Sequence, residues 1–345
     1  MIEVDGSLQS GSGTVVRFSV ALAALLERPL HVVRARAKRA KPGLRPQHVA
    51  AVRACAELCG GRAEGLHVGS DELSFVPGPA IRSGSFAWDI GTAGSSTMLA
   101  LGILPVACFA PGPVTARITG GVFQDFAPSP HHMQHVLAPL LARMGARVEI
   151  EVIRAGYVPK GAGVIELRVQ PAASGLAPLC LDDPGSVREL RGIAFASHLA
   201  ERRVSERMAL ACEARLAVAG LSVGIERVDD TEASHPGASL AVWAATSTGC
   251  RLGADRAGAP RRSSEAIGRF VADQLLADLG SHATVDRHLA DQLVFFAAFA
   301  RGGSRWRTPQ LTTHLSTNLA LAERFGVRAR CANGVVDVEG LGLGR

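Results

Sequence analysis

His314 is the residue whose type and position best suit covalent chemistry. Apolar residues recur after it at spacings of three and four, as on one face of a helix: Leu315, Leu319, Ala322 and Phe325. Thr312 or Thr313 is suited to the N-cap, so His314 falls in the first helical turn, where free backbone N–H groups and the helix dipole favour a bound phosphate. An imidazole beside a phosphate can attack phosphorus as a covalent nucleophile. The alternative is a histidine at a helix start with no chemical role.

A basic segment near the N-terminus is the second candidate. Its charges are Arg34, Arg36, Lys38, Arg39, Lys41 and Arg45. No acidic residue lies between Glu27 and Glu57, so these cations have no partner close in the sequence. Arg36 and Arg39 are three residues apart and can hold neighbouring phosphate oxygens through their paired N–H donors. An ordinary solvated basic loop is the alternative.

A glycine-rich run at residues 5–13, DGSLQSGSG, connects a predicted strand to a helix that contains Arg17. A turn of this kind can present backbone N–H groups to a phosphate. The run has neither the Gly-Lys-Ser/Thr ending of a Walker A loop nor the dinucleotide fingerprint, so alone it is weak evidence.

Asp291 and Gln292 are polar residues inside an apolar helical run at 289–296. Either they form a structural pair, or they orient an imidazole or bind an adenine edge. Taken alone, the run favours the structural interpretation slightly.

These residues belong to a repeated order of elements, roughly strand-helix-strand-helix-strand-strand. The first repeat has predicted strands at 2–4, 30–33, 66–68 and 73–76, and helices at 15–26 and 47–59. The second has strands at 86–90, 114–118, 147–153 and 164–169, and helices at 95–109 and 133–144. The third has helices at 288–299 and 314–325, and strands near Trp306, at 327–331 and at 335–338. Its opening strand is unclear.

The repeats predict an α/β (α+β) fold of three units in a pseudo-threefold arrangement, with helices on one face of mixed sheets. The loop before the second helix is unusual in each unit: it is basic in the first, Gly/Pro-rich at 120–128 in the second, and carries His314 in the third. If these loops converge, a nucleophile, cations and a Gly/Pro-rich wall share one site. Residues 185–279 do not fit the repeat and are expected to form a small inserted α+β domain. Residues 1–184 and 280–345 then form the core.

Composition limits the partners and the location. A net charge of +6 and a pI near 9.2 favour anionic partners, while 5% aromatic residues argue against a surface that stacks many bases. The seven cysteines form no tight framework and are expected to be buried thiols in a reducing, cytoplasmic setting. The start has no basic leader, and the longest apolar run, 98–114, is broken by glycine and proline. We therefore expect neither a signal peptide nor a membrane span.

Several sequence blocks, in order along nearly the whole chain, resemble the RNA 3′-terminal phosphate cyclase family. They are VDGS at 4–7, RAKPGLRPQH at 39–48, TAGS at 92–95, GYVPKGAG at 156–163, TSTGC at 246–250, TVDRHLADQL at 284–293 and HLSTN at 314–318. Such a series of blocks in the family's order is far more specific than any one motif.

The resemblance implies three repeats similar to those of enolpyruvyl transferases, with an insert domain before the last. It implies a ligase-class enzyme that uses ATP and Mg²⁺ or Mn²⁺ to convert an RNA 3′-phosphate end into a 2′,3′-cyclic phosphate. His314 would become adenylylated, and AMP would pass to the RNA before its 2′-hydroxyl closes the ring. Motif matching implies nucleotide and phosphate binding by Arg17, Arg36, Arg39, Gln47, Pro128, His288, Asp291 and Gln292.

The sequence departs from the family pattern at three notable positions. Ser10 stands where the family has a metal-contacting glutamate, His288 where it has a tyrosine near adenine, and Leu252 where it has an aromatic residue. The metal ligands are therefore unknown from the sequence, as are the physiological RNA and the oligomeric state.

Two other functions are compatible with the fold. A non-catalytic relative that supports ribosomal RNA processing is the first, and the changes at Ser10 and His288 favour it. The retained His314, Arg36 and Arg39 weigh against it. A small-molecule transferase with the same fold is the second, and no motif favours it.

Overall fold

The first unit is a four-stranded sheet with its helices on one face. A computed structural model of the protein describes residues 1–344. The elements of this unit are β1 (Ile2–Asp5), α1 (Gly13–Leu25), β2 (Leu30–Val33), α2 (Pro46–Cys59), β3 (Arg62–Glu64) and β4 (Leu73–Val76). β1 pairs in parallel with β2, and the strand order is β1-β2-β4-β3. Every residue of α1 is buried, because this helix contacts helices from all three units.

The second unit repeats that arrangement. Its elements are β5 (Gly84–Asp89), α3 (Ser96–Ala107), β6 (Val114–Gly120), α4 (Pro130–His132), a π-helical turn (Met133–Leu137), α5 (Ala138–Arg143), β7 (Arg147–Arg154) and β8 (Gly163–Gln170). β5 pairs in parallel with β6, and the order β5-β6-β8-β7 matches that of the first sheet. Alternating apolar residues bury one face of β7, as the sequence pattern predicts.

Residues 187–280 form a separate four-stranded sheet backed by two helices. Its elements are β9 (Val187–Ser197), a 3₁₀ turn (Ala200–Arg202), α6 (Val204–Val218), β10 (Gly224–Asp230), β11 (Gly237–Thr246), β12 (Arg251–Ala257) and α7 (Ser264–Gly280). The order is β10-β9-β11-β12, which differs from that of the repeated units. The helices α6 and α7 pack against each other. We refer to this part of the chain as the insert.

The third unit is completed by a segment on the other side of the insert. Its elements are α8 (Leu289–Gln292), α9 (Val294–Ala297), β13 (Gly303–Arg307), α10 (Thr313–Arg324), β14 (Arg328–Ala332) and β15 (Val335–Glu339), with strand order β13-β15-β14. Cys180 bridges Arg305 in parallel, and the Arg305 N–H donates to the Leu179 oxygen at 2.8 Å. This segment lies where β1 and β5 lie in their sheets. The insert therefore interrupts the third unit after its opening strand.

The predicted fold class is confirmed: three sheets share one strand order, and a fourth belongs to the insert. Phe18 and Phe295, from the first and third units, stack with ring centroids 3.9 Å apart where the helices meet. Among residues 1–344, no helix is long and apolar enough to cross a membrane. The core predicted for residues 280–345 ends at Arg345, which lies outside the described residues.

Three local predictions were wrong. The strand expected at 66–68 lies instead at Arg62–Glu64, because Gly65 takes a φ of +71° and turns the chain. The helix expected at 288–299 is two short helices that meet at Leu293. All cysteines are free thiols, but Cys180 is exposed and Cys331 is only half-buried.

Candidate active site

The candidate nucleophile lies in the first turn of α10. Thr312 is the N-cap, and its hydroxyl accepts a hydrogen bond from the Leu315 N–H at 3.0 Å. Capping leaves the following backbone N–H groups directed at the space beside the His314 side chain. That side chain is exposed on one side, and its ring makes no hydrogen bond with any residue in 1–344. The imidazole is therefore free to contact a ligand.

Positive charge surrounds His314. Burial on its protein side lowers the pKa of the imidazole, and neighbouring positive charges lower it further. Those neighbours are Arg17, His288 and Arg39. The structure thus brings three of the predicted nucleotide-binding residues together at the predicted nucleophile. The lowered pKa keeps the ring neutral near pH 7, as a nucleophile requires.

Arg17 is a buried cation without an acceptor. It lies on α1, is only 4% exposed, and its Nε has no hydrogen-bond partner. Burial, followed by the charge of Arg36, lowers the pKa of Arg17 to about 10. No carboxylate within residues 1–344 forms an ion pair with it. Because a buried unpaired charge is costly, this arrangement indicates that an anion completes the site.

In the basic segment, an arginine side chain donates hydrogen bonds to backbone oxygens of the same segment. Arg36 has a left-handed φ of +57°, and its Nη1 donates to the oxygens of Lys41 at 2.9 Å and Gly43 at 2.5 Å. Burial lowers the pKa of Arg36, and so do the charges of Arg39 and Arg45. The exposed Arg39 side chain has no hydrogen bond or ion pair with residues 1–344. The arginine pair is thus held close together without any neutralising carboxylate.

His48 is a site residue that sequence reasoning missed. It is 2% exposed, and its Nδ1 accepts the Arg45 N–H at 3.0 Å. Burial holds the pKa of His48 well below its ordinary value, and the charges of Arg17, Arg36 and Arg45 add to this effect. A Cβ at Gly13 would lie 1.9 Å from His48 Nε2, so α1 can begin there only with glycine. The spacing of Arg45 and His48 at a helix start was the available signal.

Asp291 contacts the His314 helix but not His314 itself. The Asn318 amide donates to the Asp291 backbone oxygen at 2.9 Å and to its carboxylate at 3.3 Å. Burial raises the pKa of Asp291 to about 8, and the charge of Asp286 contributes. The neighbouring Gln292 is buried, with an Oε1 that has no partner. Asp291 therefore holds α8 against α10, while Gln292 leaves one buried acceptor unused.

Asp286 accepts hydrogen bonds from the backbone at the start of α8. Its Oδ1 accepts the backbone N–H groups of His288 at 2.9 Å and Leu289 at 2.8 Å. Its Oδ2 bonds to His132 Nε2 and accepts the Gly253 N–H, both at 3.0 Å. The buried carboxylate thereby joins the second unit and the insert to the third unit, next to His288.

The remaining residues named from the sequence lie on several other elements: Gln47 on α2, Leu252 on β12, and Ser10 and Pro128 in loops. Gln47 uses its side-chain oxygen to accept the Ser95 N–H at 2.9 Å, at the start of α3. Pro128 directly precedes Ser129, which caps α4. The Ser10 N–H donates to Thr317 Oγ1 on α10 at 3.3 Å, which places the glycine-rich loop beside the nucleophile helix. Leu252 is fully buried in β12.

Within residues 1–344 no group of three or more His, Cys, Asp or Glu side chains could hold a metal ion. Ser10 Oγ, at the position where the family resemblance implies a carboxylate, bonds to Ser12 Oγ at 3.2 Å. A neutral hydroxyl is a weaker ligand for a hard cation than a carboxylate.

A model of the RNA 3′-terminal phosphate cyclase family matches residues 8–330. The chain is 40% identical to the RNA 3′-terminal phosphate cyclase of Hyperthermus butylicus, over 94% of this chain and 91% of that protein. The chain belongs to the RNA 3′-terminal phosphate cyclase family. It is also 36% identical to the family member of Pyrobaculum aerophilum, over 100% of this chain and 99% of that protein.

The cyclase-family match covers the insert, the second unit and most of the first and third units. A solved enolpyruvyl transferase, NikO from Streptomyces tendae, aligns with a TM-score of 0.29 at 18% identity, covering 50% of this chain and 33% of that one. The repeated fold is shown by the strand orders of the sheets and not by this likeness.

Proposed function

We propose that the protein converts RNA 3′-terminal phosphates into 2′,3′-cyclic phosphates through an adenylylated His314. The observation that carries the proposal is the buried, unpaired Arg17 beside a neutral histidine at a helix N-terminus. Phosphoryl transfer depends mainly on positioning and positive charge, and this site supplies both. Membership in the cyclase family supplies the class of reaction.

In the first step, a neutral His314 ring nitrogen attacks the α-phosphorus of ATP. A nitrogen–phosphorus bond forms, the bond to the β-phosphate breaks, and pyrophosphate leaves. Arg17, Arg36 and Arg39 bind the charged phosphate oxygens, since they have no carboxylate partner and their charges act on His314 or on one another. These contacts are worth more in the transition state, where negative charge shifts toward the departing pyrophosphate.

In the later steps, an oxygen of the RNA 3′-phosphate attacks the adenylyl phosphorus and displaces the imidazole. The vicinal 2′-hydroxyl then attacks the activated 3′-phosphorus, the cyclic phosphate forms, and AMP leaves. The hydroxyl proton needs an acceptor, and the released His314 imidazole is uncharged and available for this role. Asp291, whose pKa is raised to about 8, positions α10 through Asn318 rather than adding negative charge.

ATP and a divalent cation, Mg²⁺ or Mn²⁺, are the proposed co-substrate and ion. The metal would be held mainly by the ATP phosphates and water, because Ser10 offers a hydroxyl where the family has a carboxylate. His288, which begins α8, and Gln292, with its unused acceptor, are proposed to contact the base, and Pro128 and Gln47 to complete the pocket wall. We propose a cytoplasmic location, which the free thiols support.

The test is covalent labelling with ATP that carries a radioactive α-phosphate. The native protein should retain an acid-labile label through denaturing electrophoresis, since a phosphorus–nitrogen bond to imidazole is acid-labile. His314→Ala should abolish the label, while the matched variant His67→Ala, at an exposed loop residue, should keep it. A labelled His314→Ala protein that melts like the native form would overturn the assignment. An unlabelled native protein would favour the non-catalytic relative.

A further inference from the structure

The loop before α4 carries an aromatic side chain that is completely exposed. Phe126 has a relative exposure of 103%, and its backbone φ is +66°. Bulky residues rarely adopt this left-handed conformation, because their Cβ approaches the backbone too closely. Burial therefore does not explain the residue, and its backbone is strained. Strain of this kind, combined with an apolar side chain in solvent, is typical of a ligand contact.

The insert holds the strained loop in place from both ends. Arg262 donates two hydrogen bonds to the Asp125 carboxylate, at 3.0 and 2.8 Å. The Ser129 N–H donates to the Asp255 carboxylate at 2.6 Å. Phe126 lies between these two anchors in the sequence. The insert therefore holds the backbone on both sides of the exposed ring.

A cationic cavity adjoins this loop. It has a volume of about 540 Å³ between the insert and the second unit, and four arginines line it: Arg202, Arg207, Arg261 and Arg262. Arg207 pairs with Glu265 at 2.7 Å, and Arg262 with Asp125. The guanidinium groups of Arg202 and Arg261 make no hydrogen bond or ion pair with residues 1–344. Two unneutralised cations thus face the same space, beside the N-cap Ser263 of α7.

We propose that Phe126 and this cavity bind the single-stranded RNA tail that leads to the 3′-phosphate. Phe126 stacks on one base, and Arg202 and Arg261 bind backbone phosphates. Single-stranded nucleic acids are bound in this way, by an aromatic platform beside a positively charged groove, without dependence on base sequence. The inference rests on the proposed function, because it takes RNA as the substrate.

Hydrogen bonds connect the cavity to the residues around His314. Asp286 joins His288, the N-cap of α8 and a neighbour of the candidate nucleophile, to Gly253 on β12. β12 then runs to Ala257, whose oxygen accepts a hydrogen bond from the cavity residue Arg262. The insert that carries the cavity is therefore attached directly to the segment that carries His288.

The experiment measures binding of 3′-phosphorylated RNA oligonucleotides of increasing length by fluorescence anisotropy over a range of salt concentrations. Phe126→Ala should weaken binding about tenfold, and Phe126→Trp should restore it, because stacking on one base contributes on this scale. Arg202→Ala with Arg261→Ala should reduce the slope of log affinity against log salt by about 1.4, since each phosphate contact adds about 0.7 for single strands.

The matched control removes two exposed, unpaired arginines outside the cavity, Arg28→Ala with Arg328→Ala, and should leave the slope near the native value. Native affinity and slope in the Phe126 and cavity variants would overturn the inference. So would an equal loss of slope in the control. Labelling of the native protein by ATP alone is measured alongside. If ATP does not label the native protein, the proposed reaction is wrong. If ATP labels it but the Phe126 and cavity variants bind RNA like the native protein, only this inference is wrong.

Discussion

Three exposed arginines on the insert differ from the arginines around His314 in having acidic partners. They are Arg207 with Glu265, Arg215 with Asp273 and Arg227 with Glu213. Around His314, Arg17 and Arg39 have no acidic partner in the described part of the chain. An exposed ion pair contributes at most ~1 kcal/mol to stability. An unpaired buried cation costs stability, so it indicates a site where an anionic ligand binds.

The largest effect should come from removing the unpaired cations. Arg36→Ala with Arg39→Ala should slow adenylylation of His314 by roughly one to two decades for each lost contact, since a charge-assisted hydrogen bond contributes about 1.5–3 kcal/mol. The rate of label incorporation from ATP measures this.

The matched control for that pair is Arg215→Ala with Arg227→Ala, which removes the same charge from paired positions. It should keep the native labelling rate and lose about 1 kcal/mol or less of stability for each pair. Equal losses of rate in both double variants would show that total charge, and not pairing, determines activity.

The pH dependence of adenylylation sharpens the comparison. The pKa of His314 is lowered, so its reactive neutral form persists as the pH falls through 6.5, the ordinary value, and is lost only below it. Arg39→Ala removes one of the charges responsible and should move the acid limb of the pH–rate profile to higher pH. Arg215→Ala should leave it in place. A profile that does not move in Arg39→Ala would mean that Arg39 does not act on His314.

The smallest effect concerns the metal. Ser10 lies against the His314 helix but offers only a hydroxyl, which is a weaker ligand for a hard cation than a carboxylate. Ser10→Glu should lower the Mg²⁺ or Mn²⁺ concentration that gives half-maximal adenylylation by several-fold. Titrations of both forms measure this. Identical curves would show that residue 10 does not contact the metal, and labelling only in Ser10→Glu would support the non-catalytic alternative.

The elements that the sequence predicted well are those with strong local patterns. Alternation in residues 148–152 and 165–169 placed two strands of the second sheet correctly. Spacings of three and four placed α10 and put His314 in its first turn. The opening strand of the third unit left no such signal, because it is a short segment near Cys180 whose partner, Arg305, lies beyond the insert.

The sequence allowed the residues of the candidate site to be named, but not their arrangement in space. The proximity of Arg17 and His314 depends on the first and third units meeting, and no spacing along the chain encodes it. The burial of His48 among arginines and the exposure of Phe126 are also tertiary properties. Local patterns favour an interior place for a phenylalanine, whereas Phe126 is fully exposed beside Asp125, which Arg262 of the insert holds.

The interruption of the third unit has a consequence for folding kinetics. The first two sheets close through pairings between neighbouring elements, so they can form while the chain is still being synthesised. The segment at Cys180 cannot pair until the insert and β13 have emerged, and closing so long a loop carries an entropic cost that must be met before the contact forms. Assembly of this sheet is therefore expected to be the slow phase of folding. The fluorescence of the fully buried Trp306 on β13 should follow this phase in a variant whose other two tryptophans, Trp88 and Trp243, are replaced by phenylalanine.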